Sequence, residues 1–226
     1  FYYAYGLIAG YDGYVFGNNG TDPSDIGLNT DGAVEALEYA VHWYQNIWPQ
    51  GMLDASTAGN FVMQMFTEGK AGAMIGGPWN ASDLKEAGIN YGVAAIPTLP
   101  NGQPYSPFGG GKGWVISNYS KHKDVAEKWL EYVTNAENQM KLYEATGEIP
   151  ANADTKEQIL AGDDELAKAV INVYSSAVPM PNIPQMAEVW EPAKTMFFDA
   201  VAGNKDAKTS ADDQVEVIKQ NIEQKY

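Results

Sequence analysis

The sequence predicts an α/β layer structure with a mainly parallel sheet, on three grounds. Segments with helical spacing of apolar residues alternate with short apolar runs, glycine and proline bound those runs, and 45% hydrophobic content over 226 residues is enough to build a real core.

The helix best supported by its pattern is "DGAVEALEYAVHWYQNIW", residues 31 to 48. Val34, Leu37, Val41, Tyr44 and Trp48 recur at helical spacing behind a capping candidate, Asp31. A second helix runs from about Ala58 to Glu68 with Phe61, Val62, Met65 and Phe66 inward, and Gly69 supplies a left-handed stop. "AGAMIGGPW" and "YGVAAIP" read as short strands on either side of a helix near Ser82 to Ala87. "TLPNGQPYSPFGGGKGWVIS" breaks that rhythm with turn residues before a strand at Trp114 to Ser117, the pattern of a boundary or crossover. The remainder reads as helices at about Asp124 to Thr134, Ala136 to Ala145, Lys156 to Leu160, Asp164 to Ala177, Glu191 to Ala202 and Ala211 to Gln224. In "VPMPNIPQMAEVWEPAKTMF", Pro179, Pro181 and Pro184 each fix φ and remove a donor, which makes a stiff exposed connector. Pro192 suits a first helical turn, so Trp190 stands at a helix mouth.

Composition narrows the function classes. A formal charge of −15 opposes nucleic-acid and anionic-membrane roles. The absence of cysteine removes disulfides, thiolate catalysis and Cys-ligated metals. No stretch approaches the run of about 20 apolar residues that crosses a bilayer as a helix. The chain opens at Phe1 inside "FYYAYGLIAGYDGYVFG", which reads as an interior cut.

No motif for metal or cofactor chemistry emerges, and none is expected. His42 and His122 lack ligand partners at useful spacing. Gly109–Gly111 with Lys112 is a weak match to a phosphate loop, because Gly113 follows where Ser or Thr belongs. Among the carboxylates, Glu148 in "TGEIPAN" and Glu191 beside Trp190 lie nearest to expected clefts, with no pair marked for acid and nucleophile roles. Aromatics are more informative. Trp43, Trp48 and Trp129 fall at helix positions that core packing explains, whereas Trp79 and Trp190 follow proline-containing breaks, at a strand end and a helix start. Strand carboxyl ends are where α/β sheets bind ligands, and flat rings beside polar edges suit the faces of sugars.

"MIGGPW" at 74–79, "INYGVAAIPTLPNGQPYSPF" at 89–108 and "MPNIPQMAEVW" at 180–190 resemble, in order, the maltose/maltodextrin-binding proteins, the extracellular solute-binding components of ABC importers. The resemblance implies a periplasmic-binding-protein-like fold of type II, two hinged lobes that close on a linear α-glucan without catalysis. It assigns sugar-stacking roles to Tyr2, Trp79 and Trp190, and the two carboxylates nearest to the expected clefts, Glu148 and Glu191, complete the expected ligand-binding set. It implies residues 1–107 and 164–226 as the C-terminal lobe and 108–163 as a mostly helical piece of the N-terminal lobe, with crossings near Phe108–Gly111 and Gly162–Glu165. Partners would be maltose or maltodextrin and a membrane ABC permease, and the intact protein would be extracellular or periplasmic, attached to the cell surface. Two departures stand out. Glu191 replaces an aromatic that can occur after the tryptophan, and the family's first half is absent, so the fragment should pair with the missing N-terminal lobe or self-associate. A carbohydrate-active enzyme and a binder of another oligosaccharide are the competing expectations. On this reading the prolines hold Trp190 at the cleft rather than in the core.

Overall fold

A computed structural model describes residues 1–48 and 58–226. Helices are α1 (Tyr5–Gly10), α2 (Gly17–Gly20), α3 (Asp31–Asn46), α4 (Ala58–Thr67), α5 (Ala81–Glu86), α6 (Lys123–Thr134), α7 (Ala136–Thr146), α8 (Ala153–Ala161), α9 (Glu165–Tyr174), α10 (Trp190–Val201) and α11 (Ala207–Lys225). Strands are β1 (Asp22–Ile26), β2 (Phe108–Gly109) and β3 (Val178–Pro179), and short 3₁₀ turns cover Pro78–Asn80 and Pro184–Glu188. The chain forms two compact units, one of Phe1–Val62, Ile96–Gly110 and Ser176–Tyr226, the other of Met63–Ala95 and Gly111–Ser175.

The first unit holds the main core. The cap of helix α3 lies one residue before the predicted one, because the Thr30 hydroxyl accepts from the Ala33 amide at 3.4 Å while Asp31 is already helical. The helix buries Ala33, Val34, Ala36, Leu37 and Tyr44. Helices α10 and α11 pack on each other and on α3, and Ile8, Leu28, Leu37, Val189, Met196 and Ile218 are almost fully enclosed among them. Ser210 is fully buried but satisfied, its hydroxyl donating to the Met196 carbonyl at 2.9 Å. Helix α11 begins four residues before the expected Ala211, since Asp206 caps it by accepting from the Thr209 amide at 2.8 Å.

Helix α1 lies in the aromatic run for which no element is predicted. Its two glycines are poor helix formers, yet both are required by close approach: a Cβ on Gly6 would sit 2.3 Å from the Tyr105 ring and one on Gly10 2.3 Å from Leu99. The 96–107 segment is tied to this helix by hydrogen bonds from the Ser106 amide to the Gly6 carbonyl and from Asn101 Nδ2 to the Gly10 carbonyl, at 3.2 and 2.8 Å.

The second unit is built from the consecutive helical hairpins of α6 to α9. Asn135, Asn152 and Asp164 each cap the next helix by accepting from the amide three residues on. The Asn152 cap explains why α8 starts at Ala153 rather than Lys156. Gly147, at φ 72°, ends α7 in the left-handed conformation.

Four expectations are corrected. Residues 71–77, 91–97 and 114–117 form no ladder among the described residues, and the one sheet pairs β2 and β3 in parallel over two residues, Phe108 with Val178 and Gly109 with Pro179. An apolar run becomes a strand only with hydrogen-bonded neighbours, so the architecture is helix-rich. The inward face predicted for α4 is not buried: no residue of that helix is buried and Phe61 is exposed, although Gly69 does stop the chain at φ 68°. Trp48 and Trp129 are exposed rather than core, Trp48 because it lies beyond the last turn of α3 and Trp129 because its ring partners Trp114 and Tyr132 are themselves exposed. The proline segment is not uniformly exposed, for Pro181 is buried against Gly20.

Core packing makes one pH effect testable. Burial pushes the phenols of Tyr5 and Tyr105 up to about 12, and Tyr105 also donates its hydroxyl proton to the Tyr3 carbonyl. The folded state therefore holds these protons while an unfolded tyrosine loses them near pH 10. The stabilisation is complete below pH 10 and falls as pH rises towards 12, by about 2 kcal/mol for each phenol at pH 12. Denaturant unfolding at pH 9, 11 and 12, followed with tyrosinate absorbance, should show ionisation and unfolding together. Free titration of all tyrosines near pH 10 in folded protein would contradict it.

Candidate functional site

Trp190 is the first residue of α10, delivered by the Pro184–Glu188 turn and followed by buried Pro192. Glu188 in that turn is buried and paired with Lys225 at 2.6 Å, which fixes the entry to the helix. The indole is half-buried. It meets Phe1 and Phe108 edge to face, with ring centroids 6.0 and 6.2 Å away at 71° and 65°. Phe108 lies flat on Tyr5, at 3.6 Å and 4°. Tyr2 reaches the same bed, 5.9 Å from Phe108, and remains 37% exposed. Burial, and then Tyr3, raise the Tyr2 phenol above its ordinary value, and like any phenol it is a neutral donor at physiological pH. Glu191 is exposed on α10 and paired with Lys194 one turn on. Tyr2, Trp190 and Glu191 thus belong to one unit, with the two rings sharing a buried aromatic floor.

Trp79 and Glu148 belong to the other unit. Trp79 sits in the Pro78–Asn80 turn and is 43% exposed. Its six-membered ring covers Gly77, where a Cβ would come within 2.4 Å of the indole, and the Gly77 amide donates to Asn80 Oδ1 at 3.1 Å. Only glycine allows that ring position. Gly147 packs over the same turn, a Cβ there falling 3.2 Å from Ala81 Cβ and 3.5 Å from the Pro78 carbonyl. Glu148 follows directly and pairs with Lys112. The Lys112 amine therefore faces a carboxylate, which is a poor arrangement for a phosphate loop.

Phe108 is the residue that sequence reading passed over. It stood only as the edge of a crossover, and its partners at Phe1, Tyr2, Tyr5 and Trp190 lie about a hundred or about eighty residues away. No local pattern signals such contacts. Among the described residues no group of three or more His, Asp or Glu side chains could hold a metal. The site offers flat apolar faces with phenol and carboxylate edges.

Folding pattern and sequence together define a class. Residues 1–171 match the bacterial extracellular solute-binding protein family, and the chain belongs to it. Within that class the chain is 57% identical over all 226 residues to a maltodextrin-binding protein of Bacillus subtilis (strain 168), of which it covers 54%. It is 50% identical to a maltooligosaccharide ABC transporter solute-binding lipoprotein of Streptococcus pneumoniae (strain R6), covering 53% of it. Its fold superposes with TM-score 0.93 on a maltose-binding periplasmic protein from Listeria monocytogenes solved in complex with maltose, 57% identical, covering the whole of this chain and 59% of that one. The chain spans about half the length of the curated relatives it matches. The expected family and the solute-binding fold class both hold.

Proposed function

We propose that the protein to which this chain belongs binds maltodextrins, linear α-glucans such as maltose and its longer homologues, and delivers them to a membrane ABC permease from the extracellular or periplasmic side, held at the cell surface. The observation that carries this reading is the 57% identity to a maltodextrin-binding protein along the whole chain. Tyr2, Trp79 and Trp190 act as stacking platforms, for which their partial exposure on firm local supports is suitable. Glu148 and Glu191 accept hydrogen bonds from sugar hydroxyls after exchanging part of their lysine pairing. The lobe division implied by the resemblance gives residues 1–107 and 164–226 to the C-terminal lobe and 108–163 to the N-terminal lobe, and the glycine-bearing crossing near Phe108–Gly111, where a segment of the first compact unit ends at Gly110, absorbs the dihedral change of closure. The protein is not an enzyme.

Calorimetry of the intact protein with maltotriose, alongside chromatography of the sugar after incubation, tests this directly. Saturable binding with unchanged maltotriose is expected. Shortened sugar would favour a carbohydrate-active enzyme. Glu191, exposed and charged where the family allows an aromatic, favours a second reading in which another oligosaccharide is preferred. Tighter binding of a non-glucan in the same titrations would establish that instead.

A further inference from the structure

We propose that Phe108 is a positioning residue for two ligand platforms at once, setting the orientation of both Trp190 and Tyr2 from beneath without touching the sugar. The proposal rests on the binding reading above and concerns how the platforms are held. Phe108 is buried, and its ring is clamped by the face-to-face stack on equally buried Tyr5. From that fixed plane it meets Trp190 edge to face at 6.2 Å and Tyr2 at 5.9 Å with a 41° tilt. Its ring thus touches both platforms. Phe1 adds a fourth ring contact to Phe108, at 6.2 Å. Ring pairs are orientation-dependent, so a fixed floor restricts the tilt of each ring above it.

The backbone adds a second connection to Trp190. Phe108 pairs with Val178 in the two-residue ladder, where the Val178 amide donates to the Pro107 carbonyl at 2.8 Å. Val178 opens the proline segment that leads to Trp190, whose Pro181 is seated on Gly20. Proline fixes φ at three of the seven positions from Val178 to Pro184, which limits how much of a displacement at Val178 the segment absorbs. Trp190 is thus referenced to Phe108 through its ring and through its lead-in. An orientation set before binding lowers the ordering cost when sugar arrives.

The test uses Phe108→Leu and, as a second variant that fills the volume with a flexible chain, Phe108→Met, in the intact protein. Each should weaken maltotriose binding about tenfold. In a Trp190→Ala, Tyr2→Ala background the same change should cost less than about twofold, since the groups that Phe108 positions are gone. A purely structural role predicts the same loss in both backgrounds, and that result, or unchanged affinity in the single variants, overturns the proposal. A readout without sugar separates its failure from failure of the binding reading. The near-UV circular dichroism assigned to Trp190, obtained by difference against Trp190→Phe, should change in both Phe108 variants. An unaltered Trp190 signal defeats the positioning role whether or not the protein binds maltotriose, whereas no maltotriose binding by the parent protein with an altered signal defeats only the binding reading.

Discussion

Replacing Trp190 or Trp79 with alanine in the intact protein is expected to weaken maltodextrin binding by about 2 kcal/mol or more, roughly thirtyfold. Aromatic anchors of this size supply most of the contact area with a sugar face, and truncation leaves that face against water. The two substitutions should differ in their effect on stability. Trp190 packs on Phe1 and Phe108 at the edge of the main core, so its loss removes ring contacts that the fold uses and should lower the melting temperature measurably. Trp79 sits over a glycine in a short turn and is more exposed, so its loss should leave melting nearly unchanged. Titration calorimetry and thermal melts on the same samples check both statements. A Trp190→Ala protein that melts early but binds maltotriose with unaltered affinity would show that this tryptophan is a packing anchor and no platform.

Most helices were legible because their causes are local. Asn135, Asn152 and Asp164 cap α7, α8 and α9 from within three residues, and the apolar spacing of α3 is complete in its own segment. Helix α1 was not legible, since its glycines argue against a helix and its reason to exist is the fit against Leu99 and Tyr105, far away in sequence. Periodicity on α6 marks an apolar face but says nothing about whether anything covers it, so the pattern alone places the exposed Trp129 in the core. The short apolar runs had the composition of strands without the neighbours that make a ladder. The same division applies to the site. Trp79 and Trp190 were singled out by the prolines beside them, a local signal, whereas the aromatic floor under Trp190 is assembled from residues 1, 5, 108 and 190.

The isolated 226-residue chain should bind maltotriose at least a hundredfold more weakly than the intact protein, a difference of about 3 kcal/mol. Sites for small ligands bury about 70–90% of the ligand surface. The relatives named for binding such sugars are about twice as long as this chain, so its platforms alone are expected to leave much of the sugar in water. The second unit carries an independent sign that it needs more polypeptide. Val115 and Tyr119 are 91% and 94% exposed, and Val125, Trp129 and Tyr132 line α6 as an exposed stripe, with Trp114 edge to face on Trp129 at 6.4 Å. Soluble monomers avoid contiguous apolar surface of this kind. We therefore expect the isolated chain to self-associate through that face, and to recover tight binding when the other half of the protein is supplied as a separate chain that covers it. Sedimentation before and after mixing, with calorimetry on both samples, checks the two statements together. A monomeric 226-residue chain that binds maltotriose at micromolar affinity or better would mean that these platforms suffice alone and that closure by a second lobe contributes little.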